Sequence, residues 1–444
     1  MCNRTEFDAI VIGGGILGCF VARNLRRWQI STLLLEQEDD VCTGITRANS
    51  AIVYAGYDNK PDTRKAELTV RGNANMAELC RELDVPFSRC GSLLVTYEKD
   101  SVQRLHRKME NGTQNGVPDL RLLTGAEAEA MEPMLASGVV AALYAPSTGT
   151  VNPWQLGIAA YESALHNGAE ALLNTKVLDI LPQGYGYRIE TTQGSFFSKL
   201  VFNCAGLFAD RVQEMAFSPS VRLELDSAEY LVLDEQVQQP KKVIFLQSHR
   251  CGKGITAIPC TEGNLLISGV RKPLGIPFAT TTEGLLQLHE DTKALLPKVD
   301  TTQVIRSFGA VRPNPYLESG ESIHDFSIEH PAPGFYSLIG IKTPGLTCAN
   351  ELGLLLAGQG AEELQAAENP AFDPMRKGIT AQDNEIICQC GKISKAAILE
   401  AIARGATTVD AVKRRVGSGM GRCQGSRCSG KIEQLLEDAK HGSL

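Results

Sequence analysis

The chain has 444 residues, enough for two or three domains with a substantial buried core. Hydrophobic residues make up 43% of it and charged residues 21%, as in folded globular proteins, while the formal net charge of −7 argues against nucleic acid as a partner. No run of about twenty apolar residues occurs, and a glycine turn interrupts the first apolar stretch, so we expect no transmembrane segment, no signal peptide and a cytoplasmic location.

The first predicted elements are a strand, a tight turn, a helix and a second strand. Residues 9–12 form a continuous apolar run, typical of a strand buried on both faces of a parallel sheet. Gly13, Gly15 and Gly18 follow with G-x-G-x-x-G spacing, which allows the turn, a close approach to a pyrophosphate, and tight packing of helix on strand. Glu36 ends the second strand, where a carboxylate would bind ribose hydroxyls. The pattern predicts one bound dinucleotide, FAD or NAD, the alternative being a tight turn without a ligand.

Four later segments carry a family resemblance. They are TGITRANSAIVYAGYD from Thr43, VFNCAGLFAD from Val201, FGAVRPNPYL from Phe308 and YSLIGIKTPGLTCANELG from Tyr336. In this order they resemble the FAD-dependent family that contains D-amino-acid oxidase and glycerol-3-phosphate dehydrogenase. The resemblance covers nearly the whole chain and is strongest to anaerobic-type glycerol-3-phosphate dehydrogenases and their L-2-hydroxyglutarate-oxidising relatives. It implies FAD as the cofactor.

The resemblance also implies a set of FAD-binding residues. Val177 matches a position that contacts adenine through the main chain, and the turn before residues 345–347 opens a helix toward the flavin, although each segment could be an ordinary loop. The predicted FAD-binding set is Gly13, Gly15, Ile16, Leu17, Gly18, Glu36, Gln37, Thr46, Asn49, Ser50, Val177, Ala205, Gly206, Gly340, Gly345, Leu346 and Thr347.

Between the FAD-binding pieces, short alternating runs predict a second sheet. The runs SLLVTYE, AEYLVLDE, KVIFLQS and NLLISGV are typical of half-buried antiparallel strands. The predicted fold class is therefore α/β, with a Rossmann-like FAD-binding domain over 1–78, 146–215 and 321–375. An antiparallel-sheet substrate domain, over 79–145 and 216–320, is inserted into it and would roof the flavin.

Two basic residues are candidates for the substrate site. Arg312 can fork onto a carboxylate or phosphate with two parallel hydrogen bonds, the alternative being a surface ion pair. Lys342 matches the lysine of the corresponding segment in glycerol-3-phosphate dehydrogenases, where a cation would lie near the flavin and the reacting carbon. A solvated lysine at a strand end is its alternative.

The catalytic base departs from the family pattern. Tyr54 stands where relatives usually carry histidine, and a phenol is a poorer base at neutral pH. Tyr54 could position the substrate while Lys342 or a histidine takes the proton. His249, Arg250 and Lys253 are further candidates to face an anion, although a solvated turn explains them equally well.

Four of the thirteen cysteines stand apart from the others, which are scattered singly and are interpreted as buried thiols. Cys388 and Cys390 form a C-x-C pair, and thirty-two residues later Cys423 and Cys428 form a C-x₄-C pair. A C-x-C pair is tighter than the usual zinc knuckle, so a [2Fe–2S] centre is favoured over zinc or free thiols. The spacing with GMGRCQGSRC resembles the bacterioferritin-associated-ferredoxin-like domain.

The region around these cysteines predicts a small helical [2Fe–2S] domain over 384–440. Ser394 can cap one helix, Thr407 or Thr408 can cap another that ends at Gly417, and a third follows. Three such short helices form a thin core, which a tetrathiolate site would hold together.

Together these features predict an FAD and [2Fe–2S] dehydrogenase that oxidises sn-glycerol 3-phosphate to dihydroxyacetone phosphate. Arg312 would hold the anionic end of the substrate and Lys342 would polarise the reacting oxygen. Electrons would pass singly through the cluster to an electron-accepting partner, which could bring the protein to the inner face of the membrane. Oxidation of a 2-hydroxy acid or an amino acid is the alternative within enzymes, and a non-catalytic electron-transfer subunit is the alternative outside them.

Overall fold

The computed structural model describes residues 4–248, 252–269 and 271–441. In chain order its strands are β1 (Glu6–Ile12), β2 (Thr32–Leu35), β3 (Ile52–Val53), β4 (Phe87–Ser88), β5 (Ser92–Thr96), β6 (Arg121–Thr124), β7 (Ala141–Ala145), β8 (Gly149–Val151), β9 (Glu170–Leu172), β10 (Val177–Gln183), β11 (Gly186–Thr191), β12 (Gly194–Asn203), β13 (Val221–Leu233), β14 (Val243–Ser248), β15 (Gly252–Pro259), β16 (Leu265–Ser268), β17 (Lys272–Pro273), β18 (Val304–Leu317), β19 (Ser327–Ala332), β20 (Phe335–Ile339), β21 (Ile386–Cys388) and β22 (Ile393–Ser394). Its helices are α1 (Ile16–Leu25), α2 (Arg64–Leu83), α3 (Val102–Gln114), α4 (Gly125–Met131), α5 (Pro153–His166), α6 (Ala209–Glu214), α7 (Thr282–Leu295), α8 (Gly345–Leu364), α9 (Lys395–Ala403), α10 (Val409–Val416) and α11 (Ser429–Lys440).

The first sheet is built around β1, which lies between β12 and β2 and runs parallel to both. Its order is β10-β11-β12-β1-β2-β9, with β20 also pairing with β12. Ala9 and Val11 face a core that includes residues of α1, α5 and α8, whereas Ile10 and Ile12 face the opposite side. Both faces are therefore buried, as the continuous apolar run predicts, and the predicted strand–turn–helix–strand unit is confirmed.

The second sheet has the order β17-β13-β16-β15-β14-β5-β7-β6, with β18 paired to β13. It contains all four of the predicted runs, and its pairs are antiparallel except for β5 with β14. The prediction of half-buried strands is wrong for β5, where all five residues are buried. The reason is that Leu93 and Val95 pack toward Leu288 of α7, while Leu94 packs with Leu105 of α3 on the other face.

The C-terminal module comprises β21, β22 and α9 to α11. Side-chain caps begin two of its helices: Ser394 accepts the N–H of Ala397, and Thr408 accepts that of Ala411. The predicted stop at Gly417 is confirmed, since this residue has φ +75° at the end of α10. The module has a small hydrophobic core of its own.

Buried ion pairs join this module to the first sheet and its helices. Arg415 makes two hydrogen bonds of 2.9 Å to the two carboxylate oxygens of Asp40, and Arg414 adds one of 2.8 Å. Glu162 of α5 accepts from Arg376 at 2.7 Å and from Arg404 at 3.1 Å. We call these six residues the junction set. Within the ranges that the structure describes, no helix has both the length and the apolar character needed to cross a membrane.

Candidate active site and cluster site

A cavity of about 1290 Å³ lies between the two sheets, from the carboxyl end of β1 to the β13/β18 pair. It is lined by Arg312, Lys342, Tyr54 and every residue of the predicted FAD-binding set except Gly18, Gly340 and Thr347. Residues far apart in the chain, such as Gly15, Val177 and Leu346, are therefore brought to one elongated space.

The glycine turn leaves room for a pyrophosphate. A Cβ placed on Gly15 would have only Thr46 Oγ1 within 4 Å, at 3.6 Å, so this position opens into the cavity. Gly13 has φ +103°, and a Cβ on Gly18 would lie 1.9 Å from the carbonyl oxygen of Gly13. The first and third glycines thus permit the turn and the close packing of α1, while the second leaves the phosphate space clear. These residues fit FAD.

Glu36 lies beside the turn and lines the same cavity. Its carboxylate accepts the N–H of Gly14 at 2.6 Å and that of Glu38 at 3.0 Å. Burial raises its pKa, although those two hydrogen bonds act in the opposite direction. Each carboxylate oxygen keeps a lone pair that can accept a ribose hydroxyl.

Three predicted FAD-binding residues do not line the cavity: Gly18, Gly340 and Thr347. Gly18 packs α1 against β1. Gly340 has φ +69°, and a Cβ there would lie 2.7 Å from Pro315. Thr347 is buried, and its hydroxyl accepts the N–H of Tyr54 at 3.0 Å. These residues shape the cavity rather than face it.

Four of the cations that line the cavity lie toward its opposite end: Arg312, Lys342, Lys65 and Arg271. We call them the cavity set. Arg271 pairs with Asp226 at 3.5 Å, and Asp226 itself lies directly opposite Arg312 in the β13/β18 ladder. Within the described residues, this is the one ion pair that the four cations make.

The other three cations make no ion pair within the described residues, although the charges of Asp58 and Asp325 act on Lys65. The Nε atom of Arg312 is buried without a hydrogen-bond partner. Lys342 Nζ donates to Asn314 Oδ1 at 3.4 Å, and Lys65 Nζ lies 5.8 Å from the centre of the Phe326 ring. A buried donor without a partner costs free energy unless a ligand satisfies it.

Burial and mutual repulsion lower the pKa values of these three groups. Burial, followed by the charges of Arg312, Lys65 and Arg271, lowers the pKa of Lys342 to about 8. Burial and then Arg312 lower the pKa of Lys65, while burial and then Arg271 lower that of Arg312. An anion bound here would relieve this repulsion.

Tyr54 is poorly suited to act as a base. Burial raises the pKa of its phenol further, against a hydrogen bond with Ser50 and the charge of Arg312. Its ring stacks on Phe245 with 6.1 Å between centroids. No histidine lines the cavity in the part of the chain that is described. The candidates His249 and Arg250 lie outside the described residues, as does the side chain of Lys253.

Sequence reasoning missed Lys65, Arg271 and Asp226. Lys65 follows the N-cap Thr63 in the first turn of α2, and the backbone N–H of Lys65 donates to Asp325 at 2.8 Å. Its signal in the sequence is the basic pair at 64–65 that begins this helix. A second basic pair, at 271–272, directly follows a predicted strand. Only the fold shows that both pairs meet Arg312.

The four grouped cysteines converge in the C-terminal module. Cys388 and Cys428 are each 1% exposed, whereas Cys390 is exposed. Cys390 and Cys423 have their sulfurs 3.6 Å apart, and the N–H of Gly419 donates to Cys388 Sγ at 3.5 Å. In the described ranges no three His, Cys, Asp or Glu side chains gather as a single metal ion would need. A two-iron centre takes two thiolates per iron, so four thiols with N–H donors fit a [2Fe–2S] cluster.

Known proteins match both regions. The profile of the family described as FAD dependent oxidoreductase matches residues 8–359, and that of the BFD-like [2Fe-2S] binding domain matches residues 386–438. A glycerol 3-phosphate dehydrogenase of Caloramator mitchellensis is 37% identical over 97% of this chain and 94% of its own length. An L-2-hydroxyglutarate dehydrogenase of Indibacter alkaliphilus is 32% identical over 50% of this chain and 55% of its own.

The fold agrees with solved structures. The dithionite-reduced L-α-glycerophosphate oxidase of Mycoplasma pneumoniae, with FAD bound, aligns with a TM-score of 0.77 at 22% identity, covering 84% of this chain and 98% of that one. The α/β fold class, FAD and the [2Fe–2S] cluster predicted from the sequence are thus confirmed. The cavity, its glycine turn, the thiol cluster and the two matching profiles have one common explanation: this chain belongs to the family of FAD-dependent oxidoreductases and carries a BFD-like [2Fe–2S] domain.

Proposed function

We propose that this oxidoreductase converts sn-glycerol 3-phosphate to dihydroxyacetone phosphate and passes the electrons through its [2Fe–2S] cluster to a partner. The observation that carries the proposal is the cavity set, in which Lys65, Arg312 and Lys342 make no ion pair among the residues that the structure describes. The glycerol 3-phosphate dehydrogenase that shares 37% identity along nearly the whole chain supports the same substrate.

The charge of the cavity set favours a phosphate over a single carboxylate. Asp226 pairs with one of the four cations, so a phosphate dianion would compensate more of the remaining positive charge than a monoanion would. A phosphate also offers three acceptor oxygens to donors that converge on it. L-2-hydroxyglutarate has two negative charges as well, but they lie at opposite ends of the molecule. It is the second candidate because of the relative that matches half of the chain.

In this proposal each side chain has a separate task. Arg312 and Lys65 hold the phosphate, because one presents a buried donor without a partner and the other an ammonium that makes no ion pair within the described ranges. Lys342 takes the proton of the substrate hydroxyl, since a pKa of about 8 leaves a useful fraction of neutral amine near neutral pH. Tyr54 covers the reacting carbon and keeps water out. The bound FAD supplies the hydride acceptor.

The C-terminal module provides the exit for electrons. A [2Fe–2S] centre held by Cys388, Cys390, Cys423 and Cys428 would supply one-electron transfer between the flavin and a partner. From Asn384 onward the chain has ten Lys and Arg against six Asp and Glu, which suits an electron acceptor with an acidic docking face.

Anaerobic titration of the purified chain tests the substrate assignment. sn-Glycerol 3-phosphate, L-2-hydroxyglutarate, lactate and amino acids are added separately without any partner, and bleaching of the flavin absorbance is recorded. We expect rapid bleaching with glycerol 3-phosphate and none with glycerol or inorganic phosphate, the two halves of the substrate. Faster bleaching by L-2-hydroxyglutarate would mean that this compound, and not glycerol 3-phosphate, is the substrate. Bleaching by dithionite alone would indicate a non-catalytic subunit.

A further inference from the structure

Two neighbouring cations, Arg271 and Lys272, point to different sides of a short strand pair. β17 runs antiparallel to β13, with Lys272 opposite Ser227 and Pro273 opposite Asp226. The cavity lining includes Arg271 and Asp226 but not Lys272. Successive side chains of a strand point to opposite faces, so only one of the two cations can face the cavity in a given register.

The register of β17 on β13 does not continue the register of the strand before it. In β16, Ser268 lies opposite Tyr230. Three steps along β13, from Tyr230 to Ser227, therefore correspond to four steps from Ser268 to Lys272. One extra residue is accommodated, as in a β-bulge. Without it, Lys272 would lie opposite Asp226 and would turn toward the cavity.

Glu229 of β13 holds Lys272 on the face away from the cavity. Its side chain is buried, and Lys272 Nζ lies 2.6 Å from Glu229 Oε1. The same oxygen accepts the backbone N–H of Thr281 at 2.6 Å and the hydroxyl of Thr281 at 3.0 Å. Lys272 Nζ also donates to Thr281 Oγ1 at 3.0 Å. One buried carboxylate thus ties β17 to the start of α7.

Glu229 has little freedom to move. A Cβ on Gly284, in the first turn of α7, would lie 1.4 Å from Glu229 Oε2. The backbone carbonyl of Glu229 accepts the N–H of Gly269 at 2.9 Å, on the other side of the register shift. The carboxylate is therefore fixed relative to both β13 and α7, and it can hold β17 in register.

Each face of the β13/β17 pair carries one ion pair. On the cavity face Arg271 and Asp226 lie 3.5 Å apart, and their side chains are 55% and 30% exposed. On the other face the pair of Lys272 with Glu229 is shorter, and the glutamate side chain is only 4% exposed. Water screens the buried pair less, so it constrains the register more strongly than the exposed pair does.

We propose that Glu229 is a positioning residue: its ion pair with Lys272 holds the shifted register and so places Arg271, and not Lys272, at the anion-binding end of the cavity. Arg271 then presents its guanidinium beside Arg312, which lies opposite Asp226 on the other side of β13. The choice matters because a guanidinium binds two phosphate oxygens as a planar fork, whereas an ammonium is a point charge. Only the ligand rests on the proposed function; the register does not.

The variant Glu229→Gln of the full-length protein, with FAD and the cluster bound, tests the proposal. Glutamine keeps the shape and can still accept from Thr281, but it lacks the charge that pairs with Lys272. We expect the dissociation constant for dihydroxyacetone phosphate, read from the flavin absorbance, to rise about tenfold. The loss of a negative charge would by itself strengthen anion binding. Unchanged or tighter binding would therefore overturn the proposal.

A double-mutant cycle separates positioning from a general loss of structure. Arg271→Gln should weaken binding about tenfold in the parent protein but less than about twofold in Glu229→Gln, where Arg271 has already left the site. Equal losses in both backgrounds would mean that Glu229 acts independently of Arg271, and the proposal would be wrong. Lys272→Arg keeps the ion pair and should bind as the parent does. Glu283→Gln, an exposed change in the first turn of α7, removes the same charge and should not weaken binding.

A crystal structure without ligand reads the register independently of the substrate. In Glu229→Gln we expect Lys272 to lie opposite Asp226, and Lys272→Gln, which breaks the same ion pair from its more exposed side, should show the same slip. Lys272 or its replacement still opposite Ser227 in both variants would overturn the proposal. If the parent protein does not bind dihydroxyacetone phosphate, the proposed function fails, while these structures still decide the role of Glu229.

Discussion

The junction set and the cavity set use the same residue types in opposite ways. At the junction, Arg414, Arg415, Arg376 and Arg404 converge on Asp40 and Glu162, with hydrogen bonds of 2.7–3.1 Å. In the cavity, Arg271 pairs with Asp226, and the other three cations make no ion pair within the described ranges, although Asp58 also lines the space. The junction arginines have carboxylate partners within the chain, whereas three of the cavity cations make no ion pair in the part of the chain that is described.

The difference has an energetic side. Burial alone would raise the pKa of Asp40, but the hydrogen bonds from Arg415 and Arg414 lower it below its usual value. In the cavity, burial and like charges lower the pKa of Lys342 and so work against the folded, ligand-free state. The paired charges join the module to the rest of the chain, whereas burial and mutual repulsion lower the pKa values of the cavity cations.

Breaking the junction should produce the largest effect. Asp40→Ala leaves the buried Arg415 without its main partner, and we expect a loss of about 3–5 kcal/mol in unfolding free energy or in docking of the C-terminal module. Thermal unfolding and limited proteolysis between residues 376 and 386 measure the two outcomes. Because the pKa of Asp40 is lowered, the stabilisation is complete above its unfolded-state pKa and disappears as the pH falls through the folded-state pKa.

The matched control is Glu437→Ala in the same module. Glu437 pairs with Lys440 on the surface of α11, where an ion pair contributes little. Its variant should unfold and digest as the parent protein does. Equal behaviour of the two variants would mean that the junction pairs do not hold the module.

Removing a cavity charge should affect binding and not stability. Arg312→Met should lower the rate of flavin reduction at limiting substrate at least about a hundredfold, about 2.7 kcal/mol, because a buried fork onto the phosphate is lost. Its melting temperature should stay the same or rise, since a repulsive charge has been removed. Arg312→Lys keeps the charge without the planar fork and should lose about tenfold. A large loss of stability in Arg312→Met would indicate that Arg312 stabilises the fold rather than binds the substrate.

The contrast between the two sets was only partly visible in the sequence. The glycine turn, the caps at Ser394 and Thr408 and the four cysteines follow from local spacing, so they could be predicted. The meeting of Lys65 and Arg271 with Arg312 depends on the start of α2 and the β13/β18 pair bordering the same cavity, which no local pattern specifies. The proposed domain limits and the individual roles of the site residues stay predictions.

Substitution of Lys65 should have a smaller effect on ligand affinity than substitution of Arg312. Lys65→Gln should weaken phosphate-dependent binding about tenfold, about 1.4 kcal/mol, since one of three unpaired charges is lost. The dissociation constant is read from the change in flavin absorbance on adding dihydroxyacetone phosphate. Lys65→Arg should retain most of the affinity. Lys60→Gln, a change at an exposed lysine five residues earlier, is the control and should have no effect.

The pH dependence of flavin reduction should show the smallest effect and the most specific one. If neutral Lys342 takes the hydroxyl proton, the rate at limiting substrate should rise about tenfold per pH unit and level off above the Lys342 pKa of about 8. Lys65→Gln should move this bend to higher pH, because Lys65 is one of the charges that lower the pKa of Lys342. Lys342→Arg should abolish it, since a guanidinium stays protonated in this range. Stopped-flow reduction without a partner keeps the cluster and acceptor out of the profile. A bend at the same pH in Lys65→Gln would mean that Lys342 is not the titrating group, and a rate still rising above pH 10 would point back to Tyr54.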